Sequence, residues 1–120
     1  MKLAELEPKF LKKDKFDPEY PSDWNRGSSV NVDAPADADF MTFLCPVCFL
    51  KNDGPQGTHR VVIEKPHVPV TVPGDGRWNL VGTGANDLTL KGVTSDSVLI
   101  PSPPGCGAHF FIIDGEVKFA

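Results

Sequence analysis

Cysteine is scarce in this sequence and odd in number: three residues in a chain of 120. Disulfides alone cannot account for an odd set. Long apolar runs are missing as well. No stretch approaches the roughly 18 residues that a membrane-spanning helix needs. The opening Met1-Lys2-Leu3-Ala4-Glu5-Leu6-Glu7-Pro8 has no apolar core of the kind an export signal carries. Together these absences predict a reducing cytoplasm, where thiols serve as metal ligands rather than bridges. Positive charge is also short, with 12 Lys and Arg against 16 Asp and Glu and a net charge of −4. That balance disfavours a simple electrostatic grip on nucleic acid, although it leaves room for a local basic patch.

Chemistry-bearing motifs are few. No Ser-His-Asp set or nucleophile elbow can be assembled. Gly82-Thr83-Gly84 lacks the following helix that a phosphate-binding loop requires. Trp78, with Arg77 and the Gly82 to Asp87 run, reads more readily as a packed tryptophan beside a turn than as a binding surface. Long helices are disfavoured by 11 Gly and 12 Pro, which argue for short strands and many turns. Length and composition fit one globular domain.

Two short turns organise the rest. Cys45-Pro46-Val47-Cys48 and Cys106-Gly107-Ala108-His109 each present two ligand-type side chains separated by two residues. Two such pairs, distant in sequence, are a common framework for tetrahedral zinc. Pro46 stiffens the first turn. Gly105 and Gly107 flank Cys106 and permit positive φ close to a metal. The expected ligands are Cys45, Cys48, Cys106 and His109. His59 is the rival for the fourth position, and His67 lies in a Pro-flanked loop. A redox role for Cys45 and Cys48 would call for a βαβ context that is absent. Iron is disfavoured by the histidine ligand. Four protein ligands make a closed structural site, whereas water in one position would open it to catalysis, with Glu64 or Asp87 as candidate bases.

The surrounding chain reads as mostly β. Residues 1–39 are expected to form an N-terminal arm, with at most a short helix beginning near Pro8, and with Phe10, Phe16, Tyr20 or Trp24 packing on the domain. Residues 40–120 are expected to form the zinc-binding antiparallel β domain. Its strands are Phe40 to Leu44, Arg60 to Glu64, Arg77 to Val81, Leu88 to Leu90 and Ser97 to Ile100. Pro66, Pro69 and Pro73 keep the intervening chain extended, Gly74-Asp75-Gly76 turns it, and Pro101-Ser102-Pro103-Pro104 ends the fifth strand. Phe110 to Ile113 and Glu116 to Phe119 flank Asp114-Gly115, the dipeptide suited to a two-residue type I′ hairpin.

These blocks also carry a family resemblance. Leu3-Ala4-Glu5-Leu6-Glu7-Pro8-Lys9-Phe10, Phe43-Leu44-Cys45-Pro46-Val47-Cys48, Arg77-Trp78, Gly82-Thr83-Gly84, Asp87-Leu88-Thr89-Leu90 and Gly105-Cys106-Gly107-Ala108-His109-Phe110 through Val117 together resemble small phage and prophage proteins of unknown function. The resemblance spans most of the chain in scattered blocks, and Gly-Cys-Gly-x-His with its hairpin is the most specific. It implies a bacteriophage origin, a β-rich fold, and zinc held by three cysteines and one histidine. It implies no reaction. The expectation is a non-enzymatic zinc-binding accessory protein acting on a protein partner. The alternatives are a nucleic-acid-binding zinc ribbon using Lys12, Lys13, Lys15, Arg77 and Trp78, and a zinc hydrolase.

Overall fold

The computed structural model describes residues 1–72, 75–102 and 105–120. Among these described residues, nine strands make three antiparallel sheets. β1 (Lys9–Lys15), β2 (Ser28–Val32), β3 (Phe40–Leu44) and β4 (Arg60–Glu64) form a four-stranded sheet in the order β2-β1-β3-β4. β5 (Trp78–Val81) and β6 (Thr89–Gly92) form a ribbon, and β7 (Val98–Leu99), β8 (His109–Ile113) and β9 (Glu116–Phe119) form the third sheet. A short α-helix, α1 (Pro46–Lys51), interrupts the β3–β4 connection.

Where the sequence alternates apolar and polar side chains, the strands follow it. β4 buries Val61 and Ile63 and turns Val62 outward. β8 buries Phe110 and Ile112 and turns His109 and Ile113 outward. The sheets share one core, in which the fully buried rings of Phe43 and Phe110 meet edge to face with centroids 6.0 Å apart. Leu80, Leu88 and Leu90 bring the ribbon into the same cluster.

The extended N-terminal segment joins the sheet directly. β1 lies between β2 and β3 as an interior strand. A 3-10 turn over Leu3–Leu6 precedes Pro8 rather than beginning near it, and Glu7 ends it at φ 51. Leu3 and Leu6 are fully buried, each stabilising the core by about 1.5–3 kcal/mol. The Leu3 N–H donates to the Gly115 carbonyl, and the Val117 N–H donates to that of Met1, at 2.9 Å in both cases. Phe10 is the one core residue of β1. The loop after β1 is closed by Lys13, whose Nζ donates to the carbonyls of Trp24 and Arg26. Phe16 and Trp24 pack edge to face there, and Trp24 meets the His67 ring.

The C-terminal hairpin turns as its dipeptide predicts, with φ of 49° at Asp114 and 76° at Gly115. The Gly74-Asp75-Gly76 turn and the Pro101-Ser102-Pro103-Pro104 stop fall partly outside the described residues. Arg77 is buried. Its Nε and Nη2 donate to the carbonyls of Val68 and Pro69, Nη1 donates to that of Gly76, and Nη2 stands 3.3 Å from a Glu64 oxygen. It therefore clamps the proline-rich segment against β4. Among the described residues no helix is long and apolar enough to cross a membrane.

Candidate metal centre

β3 and β4 assemble the site by their register. Leu44 pairs with Arg60, and the ladder runs one step further, where the Cys45 N–H donates to the His59 carbonyl at 2.9 Å. Cys45 and His59 thus face each other at the mouth of the β3–β4 connection. The chain then enters α1, with Cys45 as its N-cap and Pro46 at its first position, where a missing N–H costs nothing. One helical turn brings Cys48 back beside Cys45. At the other end of the connection Thr58 fixes the approach to His59. Its hydroxyl donates to the Gly54 carbonyl at 2.7 Å and accepts from the Asn52 amide at 3.1 Å.

Cys106 arrives from the third sheet. The Ile100 N–H donates to the Ala108 carbonyl at 2.8 Å, which places the Cys106 turn against the end of β7. Gly105 is required there by close approach, because a Cβ would stand 2.5 Å from the Pro101 oxygen. Gly107 is the one with positive φ, at 76°.

The result is a group of four. The sulfurs of Cys45, Cys48 and Cys106 and a ring nitrogen of His59 all lie within 4.8 Å of one another. The Cys45 and Cys106 sulfurs are 3.7 Å apart, and none of the cysteines is bridged. Burial grades across the cluster, from fully buried Cys45 through Cys48 to the exposed Cys106 and His59.

The protonation chemistry is uneven for the same reason. Burial pushes the Cys45 thiol up to about 12, against the opposing pull of the Cys48 and Val47 N–H groups that face it. Burial, then the neighbouring Cys106, raises Cys48 as well. Cys106 feels desolvation too, but hydrogen bonds from the Ala108 N–H, His59 and the two other thiols outweigh it and bring it down to about 7. Three sulfurs this close cannot all be anionic without a cation among them. A coordinated metal removes the conflict by deprotonating its thiols.

The histidine in this cluster is His59. His109 is not among the four. Ile100 pairs with Ala108, and strand alternation then commits Phe110 to the core and His109 to the outer face, where its ring stacks on Phe111. His109 is already the first residue of β8, so the strand's alternation and not the turn at Gly107 sets where its side chain points. His67 is elsewhere, 2.7 Å from a carboxylate oxygen of Asp39. Of the two candidate bases, Glu64 faces Arg77, and Asp87 accepts hydrogen bonds from Thr83 and Gly84.

No family model matches the sequence, and neither a curated protein nor a solved structure matches it. The chemistry of the site therefore rests on the four side chains and their geometry. Three thiols and one imidazole from three separate segments can hold a metal ion.

Proposed function

We propose that the protein is a non-enzymatic, zinc-pinned binding module acting on a protein partner. One observation carries the zinc reading. In a tetrahedron with zinc–sulfur bonds of about 2.3 Å, sulfurs sit about 3.8 Å apart, and Cys45 and Cys106 are 3.7 Å apart. Cys3His is a ligand set typical of structural zinc. With four protein ligands the site is closed, which argues against a hydrolase. The clamped Glu64 and the internally bonded Asp87 offer no poised base.

The acidic net charge favours a protein partner over nucleic acid. So do the buried Arg77 and the loop-bound Lys13, both tied to carbonyls. The resemblance of the Gly105 to Phe110 block to small phage proteins supports a phage accessory role within the cytoplasm of a bacterial host.

Metal content by mass spectrometry tests the site, with Cys106→Ser, His59→Ala and His109→Ala as variants. One zinc per chain is expected in the wild type and in His109→Ala. Cys106→Ser and His59→Ala should lose it or bind it at least tenfold more weakly. Zinc retained in His59→Ala but lost in His109→Ala would overturn the assignment.

A further inference from the structure

β4 and β7 are both edge strands, of the four-stranded and the three-stranded sheet respectively. Both line one cleft of about 400 Å³, which Asp75 and Trp78 line as well. The register says which backbone groups face it. The Cys45 N–H donates to the His59 carbonyl, and the Lys65 N–H donates to that of Asp39. Both bonds fit one antiparallel ladder, in which the alternate residues His59, Val61, Ile63 and Lys65 point toward β3. Arg60, Val62 and Glu64 therefore direct their N–H and carbonyl groups outward. Those groups make no backbone hydrogen bond among the described residues. On the opposite wall, Ile100 is bonded to Ala108, so the neighbouring Leu99 presents its backbone outward from β8.

We propose that this cleft takes an extended segment of a protein partner as an added strand beside β4. The proposal rests on the reading of the protein as a protein-binding module and names the surface that does the binding. Main-chain groups would supply the affinity, as in other strand additions, and side chains the selectivity. Val62 and Leu99, 53% and 61% exposed, offer an apolar middle.

One lining charge is open to a ligand. Arg60 bonds to the Thr42 hydroxyl and to the carbonyls of Thr42 and Glu7, so its guanidinium lies over β3 and not over the free edge of β4. Asp75 lines the cleft two residues before Arg77, whose guanidinium pairs with Glu64 at the end of β4, and Asp75 itself has no ion-pair partner among the described residues. A segment running antiparallel to β4 is matched when a basic residue stands two positions before an apolar one. The β7 wall bounds the cleft opposite β4, whereas a second copy of this chain would bring β3 and β1 behind its own β4.

The metal group ties the two walls together. His59 immediately precedes β4, and Cys106 belongs to the turn that leans on Ile100 and Pro101. Cleft width is thus coupled to site occupancy.

The test uses zinc-loaded protein and a fluorescent peptide, Ser-Lys-Thr-Val-Thr-Ser-Ser, read by polarisation and by amide shifts. We expect micromolar binding with shifts concentrated at Arg60, Val62, Glu64 and Leu99. The peptide Ser-Glu-Thr-Val-Thr-Ser-Ser, with Glu in place of Lys, should bind at least fivefold more weakly, and Asp75→Lys should reverse that order. Val62→Pro removes an outward donor while sparing the β3 ladder, and should weaken binding at least tenfold. N-methylation of the peptide's central Val tests the backbone bonds without altering the protein. Absence of binding to folded, zinc-loaded protein would overturn the proposal while leaving the metal reading intact. Equal binding of the N-methylated peptide would also overturn it, as would a solution dimer that Val62→Pro dissociates. A failed metal reading appears separately, as protein without zinc.

Discussion

Asp87 holds its loop by accepting from the Thr83 hydroxyl and from the N–H groups of Thr83 and Gly84. The Thr83 hydroxyl, followed by the two N–H groups, lowers its carboxyl below the ordinary value. A depressed carboxyl stabilises the fold above the ordinary carboxylate range, and that stabilisation is lost as pH falls through it. Asp87→Asn should therefore melt below the wild type at neutral pH, with the gap closing on acidification through that range. A gap that does not change with pH would contradict this account of the loop. Single residues also show where motif spacing and strand pairing point to different histidines. Cys106-x-x-His109 has ligand spacing, but Ala108 and Phe110 are buried and strand alternation puts His109 on the outer face. His59 was within reach by another route. Two five-residue strands paired end to end place Cys45 opposite His59, so strand pairing rather than motif spacing is the signal that finds it.

The Asp114-Gly115 hairpin combines turn chemistry with close packing at the scale of an element. Gly115 has φ of 76°, and a Cβ on it would stand 2.2 Å from the Asn86 carbonyl oxygen. Gly115→Ala should cost at least about 1–2 kcal/mol from the left-handed backbone alone, with the clash adding to it. Gly84→Ala has open space around the new Cβ and should stay within about 0.5 kcal/mol of wild type. Denaturant unfolding of the two variants checks the contrast. β3, β4, β8 and β9 were legible because β-branched and aromatic residues carry them and turn residues bound them. β1 was not. Five of the seven residues in Lys-Phe-Leu-Lys-Lys-Asp-Lys are charged, and Phe10 alone enters the core. Its place between β2 and β3 comes from backbone pairing, which leaves no apolar alternation to read. β2 buries no residue fully and touches the core only through half-buried Val32, and α1 is six residues long. Neither element carries a periodic signal of useful length.

For the molecule as a whole, the proposed ion fastens the four-stranded sheet to the three-stranded one. Structural zinc in small domains contributes on the order of 10 kcal/mol to folding. A chelator at neutral pH should therefore lower the melting temperature sharply, and readded zinc should restore it. Acid should act in the same direction, since thiols and imidazole bind metal only when deprotonated. Calorimetry in the presence and absence of chelator decides this, and an unchanged transition in metal-free protein would sink it. The mostly β, antiparallel character followed from composition and turn residues. The union of the sheets did not, because it depends on long-range contacts such as Phe43 with Phe110.

The separation of 61 residues between Cys45 and Cys106 has a temporal side. A chain made from its N-terminus exposes Cys45, Cys48 and His59 first. At about 5–20 residues per second, Cys106 follows Cys45 by roughly 3–12 s. During that interval a nascent chain would grip zinc with three donors and one coordination position filled by solvent. Metal captured on the ribosome would remain exchangeable until the last thiol emerges and locks it in place.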